Sequence, residues 1–224
     1  MSDKYKILNL YACLGGNRYK WDEVADNLEI TAVELDTELA RLYQERFPND
    51  KVIIADAHEY LRENFKNFDF IWTSPPCPTH SKVRVSQKNR ENFVFKYPDM
   101  KLYEEILFLD NFFKGKYVVE NVTPYYEPLI PAKKRGRHLY WTNFNLPTNI
   151  NERKLNGTLT NMIDEVGQLC KFHDYDFYKY KGNQPRNKIA RNLVDYEVGK
   201  TILETVFGIE RKQNVNQVSI FDFE

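Results

Sequence analysis

Five short apolar runs, each closed by an acid or a turn, constrain this chain more than any other feature. They run from Lys6 to Leu10, Ile30 to Asp36, Val52 to Asp56, Asp69 to Trp72 and Tyr117 to Val122. Their length and their β-branched and aromatic content read as buried strands. Between and after them come stretches with helical spacing: Trp21 to Leu28, Glu38 to Phe47, Leu102 to Phe113 with Gly115 as a stop, and Glu197 to Phe207. Strands that alternate with helices join through parallel crossovers, so the expected fold is α/β with a doubly wound sheet. Ligands bind such sheets at the carboxyl ends of the strands.

The fourth run ends in Ser74-Pro75-Pro76-Cys77-Pro78-Thr79-His80-Ser81. Prolines cannot continue a sheet ladder, so the strand stops there. Cys77 is then held by a stiff turn at the ligand-binding edge. A fixed, partly exposed thiol there is a candidate nucleophile. A lone cysteine is more often a small core hydrophobe, and only the rest of the chain reverses that reading.

Tyr11-Ala12-Cys13-Leu14-Gly15-Gly16 follows the first strand as a tight turn whose glycines allow a ligand close to the backbone. It is neither a dinucleotide fingerprint nor a P-loop. Glu34 and Asp36 end the second strand, where an acid can take ribose hydroxyls and Asp36 can also cap the next helix. Residues 82–100 carry Lys82, Arg84, Lys88, Arg90 and Lys96 with little apolar periodicity. Next to Cys77 this reads as a basic lid able to close over a polyanion. Ala132-Lys133-Lys134-Arg135-Gly136-Arg137-His138 is a second cationic patch before the strand-like Leu139-Tyr140-Trp141. Tyr175 to Tyr180 interleaves aromatics and lysines, which suits base stacking or a small sheet.

Lys+Arg and Asp+Glu both number 32 in 224 residues, so nucleic-acid affinity would have to come from local basic surface. Three cysteines without a Cys-x-x-Cys spacing argue against a disulfide framework or zinc knuckle and fit a reducing, cytoplasmic setting. No stretch reads as a signal peptide or a membrane span.

In this order the motifs resemble those of the C5-cytosine DNA methyltransferase family, over residues 6–207. Tyr11 to Gly16 is similar to its Phe-Ala-Gly-x-Gly-Gly cofactor loop, with Cys13 in place of the first glycine. Pro75-Pro76-Cys77 with Ser81 resembles the nucleophile motif, and Glu120-Asn121-Val122 the Glu-Asn-Val motif. Lys133 to Arg137 is similar to Gln-x-Arg-x-Arg, and Arg191-Asn192-Leu193-Val194 with Gly199 to the closing Gly-Asn-x-Val motif. The resemblance implies a Rossmann-like, S-adenosylmethionine-dependent methyltransferase. Cys77 would be the covalent nucleophile, with Glu120, Arg135 and Arg137 completing the catalytic set. The cofactor would be held by Tyr11, Ala12, Cys13, Leu14, Gly15, Gly16, Glu34, Leu35, Asp56, Ala57, Pro75, Asn192 and Val194. Ser81, Lys82, Arg84, Lys133 and Lys134 would meet double-stranded DNA, and no metal is required. The family usually carries a large target-recognition region, for which this chain offers only residues 143–185.

The resulting layout is a catalytic domain over 1–142, a reduced recognition region over 143–185, a returning helix within 186–209 and a flexible tail over 210–224. In that tail Gln217, Ser219, Ile220 and Phe221 belong to a peptide resembling the bacterial sliding-clamp-binding motif. A bacterium or a phage host would be the setting. Methylation of tRNA cytosine, and a non-catalytic scaffold that binds DNA or the clamp, remain alternative readings.

Overall fold

The structure is a computed structural model that describes residues 4–155 and 164–209. The clamp-like peptide and its linker lie outside the described residues. Seven strands form one sheet in the order β3-β2-β1-β4-β5-β7-β6. These are β1 (Tyr5–Leu10), β2 (Leu28–Glu34), β3 (Lys51–Ile54), β4 (Phe70–Thr73), β5 (Lys116–Val122), β6 (Lys133–Arg135) and β7 (His138–Thr142). The first five are mutually parallel, while β7 runs antiparallel to both β5 and β6. The strand order reverses between β1 and β4, and a crevice opens at such a switch point. The two turns singled out in the sequence, after β1 and after β4, flank that crevice.

Helices cover both faces. Asp36 caps α1 (Thr37–Arg46) by accepting from the Glu38 and Leu39 amides, and Asp56 caps α2 (Ala57–Asn64) through those of His58 and Glu59. Each cap satisfies amides the helix cannot reach itself. One face of the sheet packs Leu8, Leu10, Ile71 and Val119 against α2 and α4 (Lys101–Phe112). The other packs Ile7, Trp72 and Val118 against Trp21 and α7 (Tyr196–Val206). No helix among the described residues is long and apolar enough to cross a membrane.

Two local expectations are corrected. The helix expected from Trp21 to Leu28 is a 3₁₀ turn over Trp21–Glu23, and Leu28 already belongs to β2. Burial decides this: the Trp21 ring lies against Phe70 and Trp72, and its indole donates to the Gly199 carbonyl at 3.1 Å. The basic stretch 82–100 begins as a short helix, α3 (Lys82–Ser86), capped by Ser81. Tyr175 to Tyr180 forms no sheet; a 3₁₀ turn over Phe177–Lys179 drives Phe177 and Tyr180 into a third core.

That third core joins distant parts of the chain. Leu169 of α5 (Glu165–His173), Phe177, Tyr180, and Ile189 and Ala190 of α6 (Arg186–Asn192) pack on Leu14, Leu39 and Leu42. The stretch after residue 164 therefore rests on α1 and on the loop after β1. Lys133 to Arg137, read from sequence as a charge patch, builds the edge strand β6 and its tight turn into β7. Lysines on an edge strand discourage pairing with another chain.

Candidate active site

The loop after β1 is built on unusual backbone. Tyr11 and Cys13 have φ of 55° and 47°, in the region that disfavours residues with a Cβ. Contacts hold them there: the Cys13 amide donates to the Glu34 carboxylate at 2.8 Å and the Ala12 amide to the Val33 carbonyl at 3.0 Å. The second Glu34 oxygen accepts the Asp36 amide at 2.9 Å. Glu34 thus ties the first two strand ends together, and burial raises its carboxyl pKa against those amides. Gly16 is obligatory for packing, since a Cβ there would meet the Val194 carbonyl oxygen at 2.3 Å. Leu193 and Val194 are thereby pressed onto the loop.

The proposed cofactor residues divide by what their atoms face. Ala12, Leu14 and Ala57 bury their side chains in the cores and offer only backbone to a ligand. Cys13 sits against the third core, where burial and Glu34 push its thiol far above the usual range. Leu35 is 67% exposed at the end of β2, and Ile54 at the end of β3 is exposed as well. Two large apolar side chains thus stay exposed at strand ends that also carry Glu34 and Asp56. Asp56 keeps its carboxyl below the ordinary range despite burial, because the Glu59 and His58 amides and Lys101 favour the anion. Asn192 is exposed and Val194 half-buried.

Across the crevice, Pro75 is buried and Cys77 is half-buried. The Cys77 carbonyl accepts the His80 and Ser81 amides at 3.0 and 3.1 Å, which closes the turn. Asn121 donates from its side chain to the Pro75 carbonyl at 2.9 Å. Burial, followed by the nearby charge of Glu120, raises the Cys77 pKa, while Arg137 and Lys188 pull it back. The resting group is a thiol that a neighbouring positive charge helps to ionise. Glu120 is buried, 3.6 Å from His138, whose other ring nitrogen lies 3.5 Å from Glu152. Lys188 and Glu152 were not singled out in the sequence, and His138 stood there only as the end of the cationic patch.

Two side chains of the cationic patch are engaged within the fold. Arg135 spends its guanidinium on the carbonyls of Lys134, Leu146 and Pro147, so it braces a loop and leaves Arg137, which is exposed, as the arginine facing Cys77. The Lys133 ammonium donates to the Thr142 carbonyl and hydroxyl and to the Phe144 carbonyl, which leaves no proton for a phosphate. Lys134 and Lys82 are exposed. Arg84 donates to the Val94 carbonyl and lies 5.3 Å from the Phe93 ring centre, folding the basic segment back on itself.

Comparison with known proteins gives the fold and the family. EhMeth, a methyltransferase of Entamoeba histolytica, aligns over 92% of this chain and 99% of its own with a TM-score of 0.54 at 11% identity, sharing the Rossmann-like methyltransferase fold. DNMT2 of Spodoptera frugiperda is 26% identical over 53% of this chain, at a TM-score of 0.38, and the match spans only 36% of the DNMT2 chain. A SAM-dependent methyltransferase of Agrobacterium tumefaciens is 15% identical over 56% of this chain and 41% of its own, at a TM-score of 0.37. No curated protein sequence matches. The profile of C-5 cytosine-specific DNA methylases matches residues 5–123, the span that holds the β1 loop, Glu34, Asp56, Cys77 and Glu120. By that match, which covers more than half of its length, the chain belongs to the C-5 cytosine-specific DNA methylase family.

Proposed function

We propose that this protein transfers a methyl group from S-adenosylmethionine to C5 of cytosine in DNA, with Cys77 as covalent nucleophile. The observation that carries the reading is Cys77 itself: a half-buried thiol fixed at the end of β4, with Glu120 and Arg137 near enough to move its ionisation in opposite directions.

The crevice fits the methyl donor by the chemistry of its walls. Glu34 presents carboxylate oxygens suited to vicinal hydroxyls, Asp56 an acceptor for an exocyclic amine, and Leu35 and Ile54 flat apolar cover. When bound, S-adenosylmethionine supplies an electrophilic methyl group on a sulfonium.

Cytosine C5 is too weak a nucleophile unaided. Addition of the Cys77 thiolate to C6 moves the ring's electron pair toward C5 and N3. Glu120 meets that charge with a proton or hydrogen bond at N3, and Arg137 orients the base through its carbonyl oxygen. When C5 takes the methyl group, the S–CH3 bond would break and the donor would leave as a neutral thioether; loss of the C5 proton to water then returns its electron pair to the ring and expels the Cys77 sulfur from C6. These atoms are out of reach within a stacked duplex, so the base must be flipped out. Lys82 and Lys134, both exposed, would take backbone phosphate.

Tritiated methyl transfer to duplex DNA and to tRNA, with bisulfite readout, tests substrate and position together. Label in DNA cytosine, absent with Cys77→Ala, supports the reading. Label confined to tRNA, or turnover by Cys77→Ala, overturns it. A duplex carrying 5-fluorocytosine should trap a covalent adduct only with the methyl donor present.

A further inference from the structure

A second polar centre lies beneath the crevice, built around a carboxylate with no place in the chemistry above. Glu105 on α4 is 1% exposed. One of its oxygens accepts the Tyr11 hydroxyl at 2.6 Å and faces His58 Nδ1 at 3.1 Å; the other accepts the Thr73 hydroxyl at 2.7 Å. Three partners from three strand-end segments converge on it. Tyr11 opens the loop after β1, Thr73 is the last residue of β4 before the turn that carries Cys77, and His58 sits two residues after Asp56.

A buried carboxylate is costly unless its lone pairs are filled, so these contacts come as a set. Tyr11, whose backbone sits at φ 55°, is thereby anchored at the far end of its ring as well. The loop pattern of the family begins with Phe where this chain has Tyr11, so the hydroxyl belongs to this sequence rather than to the general plan.

We propose that Glu105 is a positioning residue for the methyl donor: through Tyr11 it fixes the cofactor loop, and through Thr73 it holds that loop in register with the Cys77 turn. The proposal rests on the methyltransferase reading and deepens it. His58 strengthens the set, its pKa raised chiefly by the Glu105 hydrogen bond and opposed by burial. The other charged groups facing the cluster are Glu104 and Lys101 beside His58, and Asp56 and Asp99 beside Tyr11.

Calorimetric titration of S-adenosylmethionine into the full chain tests this, with wild type, Tyr11→Phe, Glu105→Gln and the double variant. Each single change should weaken binding by about tenfold or more, the scale of one lost hydrogen bond to a charged group. The double variant should bind no more weakly than the worse single one, because both remove the same contact. Affinity for a cytosine-containing duplex should stay within about twofold throughout. Tyr11→Phe deletes one oxygen atom and keeps the test alive should Glu105→Gln fail to fold. Unchanged donor affinity in Tyr11→Phe, or equal loss of donor and DNA binding, overturns the proposal and leaves the methyltransferase reading intact. A wild-type chain that binds no donor overturns both.

Discussion

Asn121 reaches from the end of β5 to the carbonyl oxygen of Pro75, 2.9 Å away and buried, and so joins the strand carrying Glu120 to the turn carrying Cys77. The same side chain accepts the Val122 amide at 2.9 Å, fixing its own orientation. Cys77 and Glu120 are therefore positioned as one unit. Asn121→Ala leaves the Pro75 carbonyl without its donor and is expected to cost about 1–3 kcal/mol of stability. It should also lower kcat by about tenfold or more through misplacement of the thiol. Donor affinity, to which Pro75 would contribute only one of several contacts, should fall by less than kcat does. Urea unfolding, single-turnover methylation and calorimetry measure the three separately.

The charges around Cys77 give a prediction whose sign differs between variants. Glu120 raises the thiol pKa and Arg137 lowers it. Glu120→Gln should shift the alkylation of Cys77 by iodoacetamide toward lower pH, and Arg137→Ala toward higher pH. Cys13, with its pKa pushed far up by burial and Glu34, should resist alkylation until the protein unfolds. Peptide mass spectrometry across a pH series resolves the two cysteines.

Lys133 and Lys134 are neighbours in sequence with opposite roles. The Lys133 ammonium is consumed by Thr142 and Phe144, and burial lowers its pKa. Lys133→Met should destabilise the β6–β7 hairpin by about 1–3 kcal/mol and leave the salt dependence of DNA binding unchanged. Lys134→Ala should leave the melting temperature unchanged and reduce the slope of log K against log salt by about one. Thermal melts and fluorescence titrations at several salt concentrations separate them.

This pair shows where sequence reading reaches and where it stops. The five parallel strands, the strand-end acids and the Cys77 turn were legible because apolar runs and prolines act locally. Whether a cation faces solvent or a ring of carbonyls depends on where the chain returns, so Lys133 and Arg135 look like surface charge until the 142–147 segment folds over them. The Trp21 to Leu28 stretch misled for the same reason: its spacing suits a helix, but the indole is claimed by Gly199 on α7. Glu105 was invisible because an acid within an amphipathic helix reads as solvent-facing.

His173 closes α5 among groups that refuse it a proton. Burial first, then Arg153 and Arg46, depress its pKa to about 3. The unfolded chain takes up that proton near the ordinary value of 6.5, so the unfolded state binds more protons below it. Stability contributed by neutral His173 is thus complete above that value and drains away as pH falls toward the folded value. At pH 5 the loss is about 2 kcal/mol, at 1.36 kcal/mol per pKa unit. His173→Gln removes the titrating group and should flatten this part of the acid limb, whatever the variant costs in absolute stability. Urea unfolding of both proteins from pH 7.5 to 5 checks it: parallel limbs would mean that His173 accepts its proton in the folded state and that the ring is not held against its two arginines.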